Sequence, residues 1–335
     1  MSKEKILLVG NGIYRAFHGE DESWENVLRF VKKEFEKQGM SLTLEPNSEN
    51  ISYSLYFEYL YAEWKKKKGL KSNETETWKS FAEEIANILN LKYKSPEYVG
   101  CTTVINEMVW NHFDVVLTTN IENRFEKVVT DVAKDADCDD DKTEEWASAC
   151  NRKWKYSVYR RKEWNDGKKK IFYMHGELGK PYSICFGLDH YLGEYMCQYD
   201  ILYGIKPDEK RVVLKWLNGE ECVTDDECKD SWLYHFFFND VDIIGQGLGK
   251  DEIDVWWAIE KRFQYRLKRE NRSNVIEDNR IRFFIPSFRW KNNLDKIKLL
   301  NAFGVETQEI HCSDDREFYK IYFEDFAENN CLDNK

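Results

Sequence analysis

Four short stretches hold the residues whose types and spacing could do chemistry. In Thr118-Thr119-Asn120-Ile121-Glu122, a buried-looking apolar run over 115–117, after Asp114, ends abruptly in small polar side chains. In His175-Gly176, an imidazole follows the run Lys170-Ile171-Phe172-Tyr173-Met174. Two glycine loops, Gly10-Asn11-Gly12 and Gly245-Gln246-Gly247-Leu248, follow the runs over 6–9 and 241–244. Each reads as a strand delivering a polar loop at its carboxyl end, where open α/β sheets bind ligands. The first glycine loop, with Arg15 one turn further on, would suit a diphosphate, since glycines let backbone N–H groups approach an anion and arginine adds a fixed charge. An ordinary strand-to-helix turn has the same signature, and a lone histidine is more often structural than catalytic. Asp251, Glu252 and Asp254 would repel a phosphate from the second loop but could bind ribose hydroxyls, so that loop suits the sugar side of a nucleotide. It is not a phosphate-binding P-loop: the spacing before Lys250 is one residue short, and Asp251 stands where Ser or Thr is required.

The intervening elements must hold these loops together. Residues 20–112 read as a mostly helical insertion, with Ser23 as a helix cap before the apolar stripe Trp24, Val27, Leu28, Val31 and Phe35, and with further amphipathic runs at 51–67, 74–91 and 97–112. Helical spacing continues over 123–136 after the central strand. The carboxylate-rich stretch 135–145 lacks the glycine and ligand spacing of a calcium loop and reads as solvated. Alternation over 155–164, the turn signal Asn165-Asp166-Gly167 and the run over 168–174 predict a β-hairpin. Residues 191–203 read as helix. Trp256, Trp257, Ile259 and Phe263 read as the buried face of another, 282–285 and 305–310 as strands, and 293–303 and 314–326 as helices. The expectation is an α/β fold over 1–312, a Rossmann-like, mostly parallel sheet with the helical insertion and a β-hairpin, followed at 313–335 by a C-terminal helix and polar tail.

Composition narrows the function. With 335 residues, 42% of them hydrophobic and 15% aromatic, the chain can bury a substantial core. Its 50 basic and 61 acidic residues give a formal charge of −11, so no global field attracts nucleic acid or an anionic membrane, and an anionic ligand needs local donors. The apolar run at 6–9 is too short for a signal-peptide core or a membrane span, and the expected location is the cytoplasm. The nine cysteines include no pair at zinc-knuckle or redox spacing; Cys222 and Cys228, with Asp225, Asp226 and Glu227 between them, find no second pair in register. No metal is expected, and the thiols read as reduced.

Taken in order, Gly10-Asn11-Gly12, Thr118-Thr119-Asn120-Ile121-Glu122, His175-Gly176 and Gly245-Gln246-Gly247-Leu248 resemble the loops of the bacterial SIR2-like proteins, relatives of the sirtuins. Cys185-Phe186-Gly187-Leu188-Asp189-His190-Tyr191 and Glu252-Ile253-Asp254-Val255-Trp256-Trp257 extend the similarity. The resemblance implies a SIR2-like sheet that binds NAD as substrate, its diphosphate by Gly10, Asn11, Gly12 and Arg15, and its remainder among Thr118, Thr119, Glu122, Gly245, Gln246, Gly247 and Leu248. Asn120 would position the nicotinamide ribose and a water, and His175 would accept a proton. Breaking the nicotinamide–ribose bond develops an oxocarbenium ion, which needs a positioned carboxamide and a base more than a strong nucleophile. Two departures bear on activity: the paired-cysteine zinc module of sirtuin deacylases is missing, and Glu122 stands where the sirtuin pattern has aspartate. The implied reaction is NAD hydrolysis to nicotinamide and ADP-ribose, in the manner of antiphage-defence NAD hydrolases. Acyl-lysine removal, ADP-ribosyl transfer and nucleotide binding without turnover are the alternatives. An NAD-depleting activity must be restrained at rest, so self-assembly or a sensor or activator protein is expected, with the helical insertion as the contact surface.

Overall fold

A computed structural model of the chain describes residues 4–18, 23–46, 51–70, 74–93, 105–122, 125, 134–136, 158, 161–164, 168–203, 231–250, 252–270 and 279–327. Eight strands form one sheet: β1 (Ile6–Val9), β2 (Val115–Thr118), β3 (Lys134–Ala136), β4 (Arg161–Trp164), β5 (Lys169–Tyr173), β6 (Val241–Ile244), β7 (Ile281–Pro286) and β8 (Glu306–Ile310), in the order β3-β4-β5-β2-β1-β6-β7-β8. The strands from β5 to β8 across this order run parallel, whereas β3 and β4 are antiparallel additions at one edge. Counting parallel strands alone, the order is that of doubly wound dinucleotide-binding sheets: the chain builds outward from β1 to β2 and β5, then returns to β1's other side for β6, β7 and β8.

The apolar runs become central parallel strands because both of their faces are covered. Ile6, Leu8, Val115, Leu117, Val241 and Ile243 face one core with Trp232, Phe236, Val255 and Ile259. Leu7, Val9, Val116 and Ile244 face the other, with Ile13, Tyr14, Ile105 and Val109. Phe318, Tyr319, Tyr322 and Phe323 join this second core, so the C-terminal helix Asp315–Ile321 covers the sheet.

The helices Trp24–Lys37, Tyr53–Lys68 and Glu74–Tyr93 form a lobe with a core of its own, built around Val27, Val31, Phe35, Phe57, Leu60, Phe81, Ile85 and Leu89. Ser23 and Ser52 begin the first two by accepting Asn26 and Leu55 N–H, as capping predicts. Ile121, Leu178, Ile184 and Phe186 belong to the same core, so the lobe rests on the loops that follow β2 and β5. Glu58 reaches from the lobe to the backbone at Asp189, at the start of the Leu188–Tyr203 helix.

The hairpin forms with Trp164 opposite Lys169. One expectation is corrected: the helical spacing over 123–136 does not persist to its end, because Lys134–Ala136 is a strand paired antiparallel with β4. An edge strand of three residues offers too little periodicity to compete with the helical pattern of Val128, Val129 and Val132. The remainder of the acidic stretch to 145, residues 207–230 with Cys222 and Cys228, and Asp251 lie outside the described residues. Among the described residues, no helix is long and apolar enough to cross a membrane.

Candidate functional site

Sheet register brings the predicted loops to one place. Val9, Thr118, Tyr173 and Ile244 are aligned across β1, β2, β5 and β6. Two residues beyond that row come Asn11, Asn120, His175 and Gln246, at the carboxyl ends of adjacent strands. The strand order reverses direction at β1, so this row sits at the crevice where such sheets take their ligands.

The two glycine loops interlock. Gly10 N–H donates to Ile244 O at 3.2 Å and Gly12 N–H to Gly245 O at 2.8 Å. A Cβ on Gly12 would lie 2.7 Å from both Cα and O of Gly245, and one on Gly10 would lie 2.1 Å from Gln246 Oε1. The first-loop glycines therefore allow this loop-to-loop approach, and the two N–H groups that a diphosphate would have used are spent on β6 and its loop. Gln246 lies across Gly10; its Oε1 accepts Thr119 Oγ1–H at 3.0 Å and its Nε2 donates to Glu252. Glu252 in turn accepts Gly249 N–H at 2.6 Å, and Lys296 donates to Gly247 O at 2.5 Å. Leu248 takes a positive φ of 47° with its side chain buried, a conformation that costs a non-glycine residue about 1 kcal/mol or more and that this web of bonds holds in place.

His175 lies two residues past the end of β5 and is followed by Gly176 at φ 83°, where a Cβ would fall 2.0 Å from Ser183 O. That turn brings the imidazole inward. Its Nε2 stands 2.9 Å from Oδ2 of Asp254, with the two side chains 3% and 0% exposed, and the Tyr191 ring meets it edge-on at 5.1 Å. Asp254 lies in the first turn of the Ile253–Glu270 helix, on the face that also buries Val255, Ala258 and Ile259. Sequence reasoning assigned Asp254 to ribose. Its place on the apolar face of that helix was the available signal that it faces inward.

Thr118 is a scaffold residue: Oγ1 donates to Val9 O at 3.0 Å and accepts Asn120 N–H at 3.1 Å, which fixes the turn out of β2. Asn120 is buried, and its Nδ2 has no hydrogen-bond partner among the described residues. An unsatisfied buried donor costs about 1–3 kcal/mol, so a ligand oxygen there would gain that amount.

Beside this row lies a cavity of about 860 Å3, within the range of roughly 300–1,000 Å3 usual for small-molecule sites. Asn11, Gly12, Arg15, Thr119, His175, Gly245, Gln246 and Gly247 line it. Gly10, Thr118, Asn120, Glu122 and Leu248 are not among its lining residues; all but Gly10 are buried side chains adjoining it in sequence. The lobe supplies an apolar wall with Trp24, Leu28 and Phe57, which the strand-end motifs could not announce. Its charge is mixed: Arg15, Lys250, Arg289 and Lys296 against Glu25, Glu252 and Asp315, a local basic excess in a chain of net charge −11. Burial pushes the Glu252 carboxyl up to about 7, against the opposing pull of Gly249 N–H and His175, while burial pulls the Lys296 ammonium down. The chain as a whole matches no family model and no curated protein.

Proposed function

We propose that the protein is an NAD glycohydrolase of the SIR2-like kind, cleaving NAD to nicotinamide and ADP-ribose. The observation that carries this reading is the strand-end row itself. A buried imidazole hydrogen-bonded to a buried carboxylate and an enclosed carboxamide with an unspent donor stand side by side at the reversal point of a dinucleotide-type sheet. The adjoining cavity has room for a dinucleotide and a basic excess for its diphosphate.

In this reaction the C1′–N bond breaks heterolytically and nicotinamide leaves with the bonding pair as a neutral molecule, so no acid is needed for departure. Water adds to the ribosyl cation at C1′, and His175 takes the proton that this oxygen sheds before passing it to solvent. The base contributes about 10²–10⁴-fold. Asn120 holds the ribose or the water through its carboxamide. The enclosed surroundings of His175, with the Asp254 carboxylate against its ring, favour a spreading positive charge that oriented groups stabilise and few water molecules compete for. Arg15 bears the diphosphate charge, since Gly10 and Gly12 N–H are already engaged.

Nicotinamide release from NAD by the purified protein, run beside Asn120→Ala and His175→Ala with folding verified, tests this reading. Release by the parent and by neither variant is expected. Equal release by all three would remove both residues from the mechanism, and none from the parent would remove the reaction.

A further inference from the structure

We infer that Asp254 is a positioning residue: it fixes the tautomer of His175, so that Nε2 keeps its proton toward the carboxylate and Nδ1 is the nitrogen that accepts a proton in the cavity. The nitrogen's catalytic use rests on the hydrolase reading; the tautomer does not.

The two groups are 79 residues apart and meet at 2.9 Å with almost no solvent contact. An ionised carboxylate only accepts, so the shared proton belongs to Nε2 and the lone pair to Nδ1. Asp254 sits in the first turn of a helix, where an acid often serves the helix's own N–H groups, yet its Oδ1 has no hydrogen-bond partner among the described residues. A carboxylate buried in this way is costly, and the hydrogen bond between its Oδ2 and His175 offsets that cost. Glu252 also acts electrostatically on His175 and is itself coupled to Lys296, and the Tyr191 ring meets the imidazole edge-on. Glu252 is tied to Gln246 and Gly249 N–H, whereas Asp254 bonds the imidazole itself and so orients it. The same logic operates wherever a buried carboxylate holds a catalytic histidine in one tautomer, and its loss there costs up to about 10⁴-fold in turnover.

The test is multiple-bond ¹H–¹⁵N spectroscopy of the full-length, ¹⁵N-histidine-labelled protein, with the His175 signals among six histidines identified by their loss in His175→Ala. The expected result is a protonated Nε2 and a bare Nδ1 in the parent, and a mixed or reversed tautomer in Asp254→Asn and Asp254→Ala. In parallel, both variants should release nicotinamide roughly 10²–10⁴-fold more slowly with NAD affinity changed only a few-fold, and the acidic limb of their pH profile should move to lower pH. That direction follows because removing the carboxylate removes the charge that favours imidazolium. A parent His175 protonated on Nδ1 would overturn the inference, as would variants whose activity falls with no movement of that limb. If the parent releases no nicotinamide, the hydrolase reading falls while the parent's spectrum still decides the tautomer.

Discussion

The two sides of the strand-order reversal differ in the kind of side chain they present. On the β2 and β5 side, Thr119, Asn120 and His175 are buried, at 7%, 3% and 3% exposure. On the β6 to β8 side, Gly247, Gly249 and Lys250 are exposed, and Arg289 and Asp315 form a half-exposed ion pair. An enclosed end suits bond breaking, where oriented groups act at low dielectric; an open, charged end suits holding an anion that must enter and leave. The division implies that substitutions on the first side reduce turnover and those facing the diphosphate reduce affinity.

The largest effect should come from His175→Ala: a fall in kcat of about 10²–10⁴-fold with NAD affinity within a few-fold, read by nicotinamide release and calorimetry on one preparation. If affinity fell in step, the two sides would not be separable. Next is Gly12→Ala, whose Cβ would meet Gly245 backbone at 2.7 Å. Thermal unfolding should show a loss of about 1–3 kcal/mol from the forced separation of the loops. Gly69→Ala is the control: its φ of 65° is equally left-handed but nothing lies within 4 Å, so only the conformational cost of about 1 kcal/mol should appear. Arg15→Ala should raise KM roughly 10-fold with kcat nearly unchanged, the signature of uniform binding, and the effect should shrink as salt rises.

The smallest effect belongs to Glu252. Its folded pKa of about 7 lies above its ordinary 4.5, so the folded state prefers the protonated carboxyl. The stability this preference brings is complete below pH 4.5 and is lost as pH rises through about 7. Relative to Glu252→Gln, the parent should therefore weaken between about pH 5 and 8, by on the order of 1 kcal/mol given the partial exposure of the site. Denaturant titrations at the two pH values measure it; an opposite slope would mean that the bonds from Gln246 and Gly249 outweigh burial.

Much of the scaffold was legible because its signals are local. The apolar runs of β1, β2 and β6 end in glycine or small polar residues, the sequence between β4 and β5 reads Asn165-Asp166-Gly167, and Ser23 stands where a cap stands. The row of Asn120 and His175 was legible for the same reason, since each lies just past a recognisable strand. What escaped depends on distant partners. The glycines of Gly10-Asn11-Gly12 signal a close approach without saying to what, and here the approach is to Gly245 and Gln246. Asp254 looked like one of three loop carboxylates, and only the fold carries it to His175. The helical spacing over 314–326 does not say what the helix packs on; Phe318 and Tyr322 share a core with Leu7 and Val116, a long-range association that no local pattern encodes.

The most direct test of the division into a reacting side and a holding side is a paired measurement of NAD affinity and nicotinamide release on the parent, His175→Ala and Arg15→Ala proteins. The account predicts release by the parent, affinity without release for His175→Ala, and weakened affinity with preserved maximal release for Arg15→Ala. Release by His175→Ala at the parent's rate, or a parent that binds NAD and never releases nicotinamide, would contradict it.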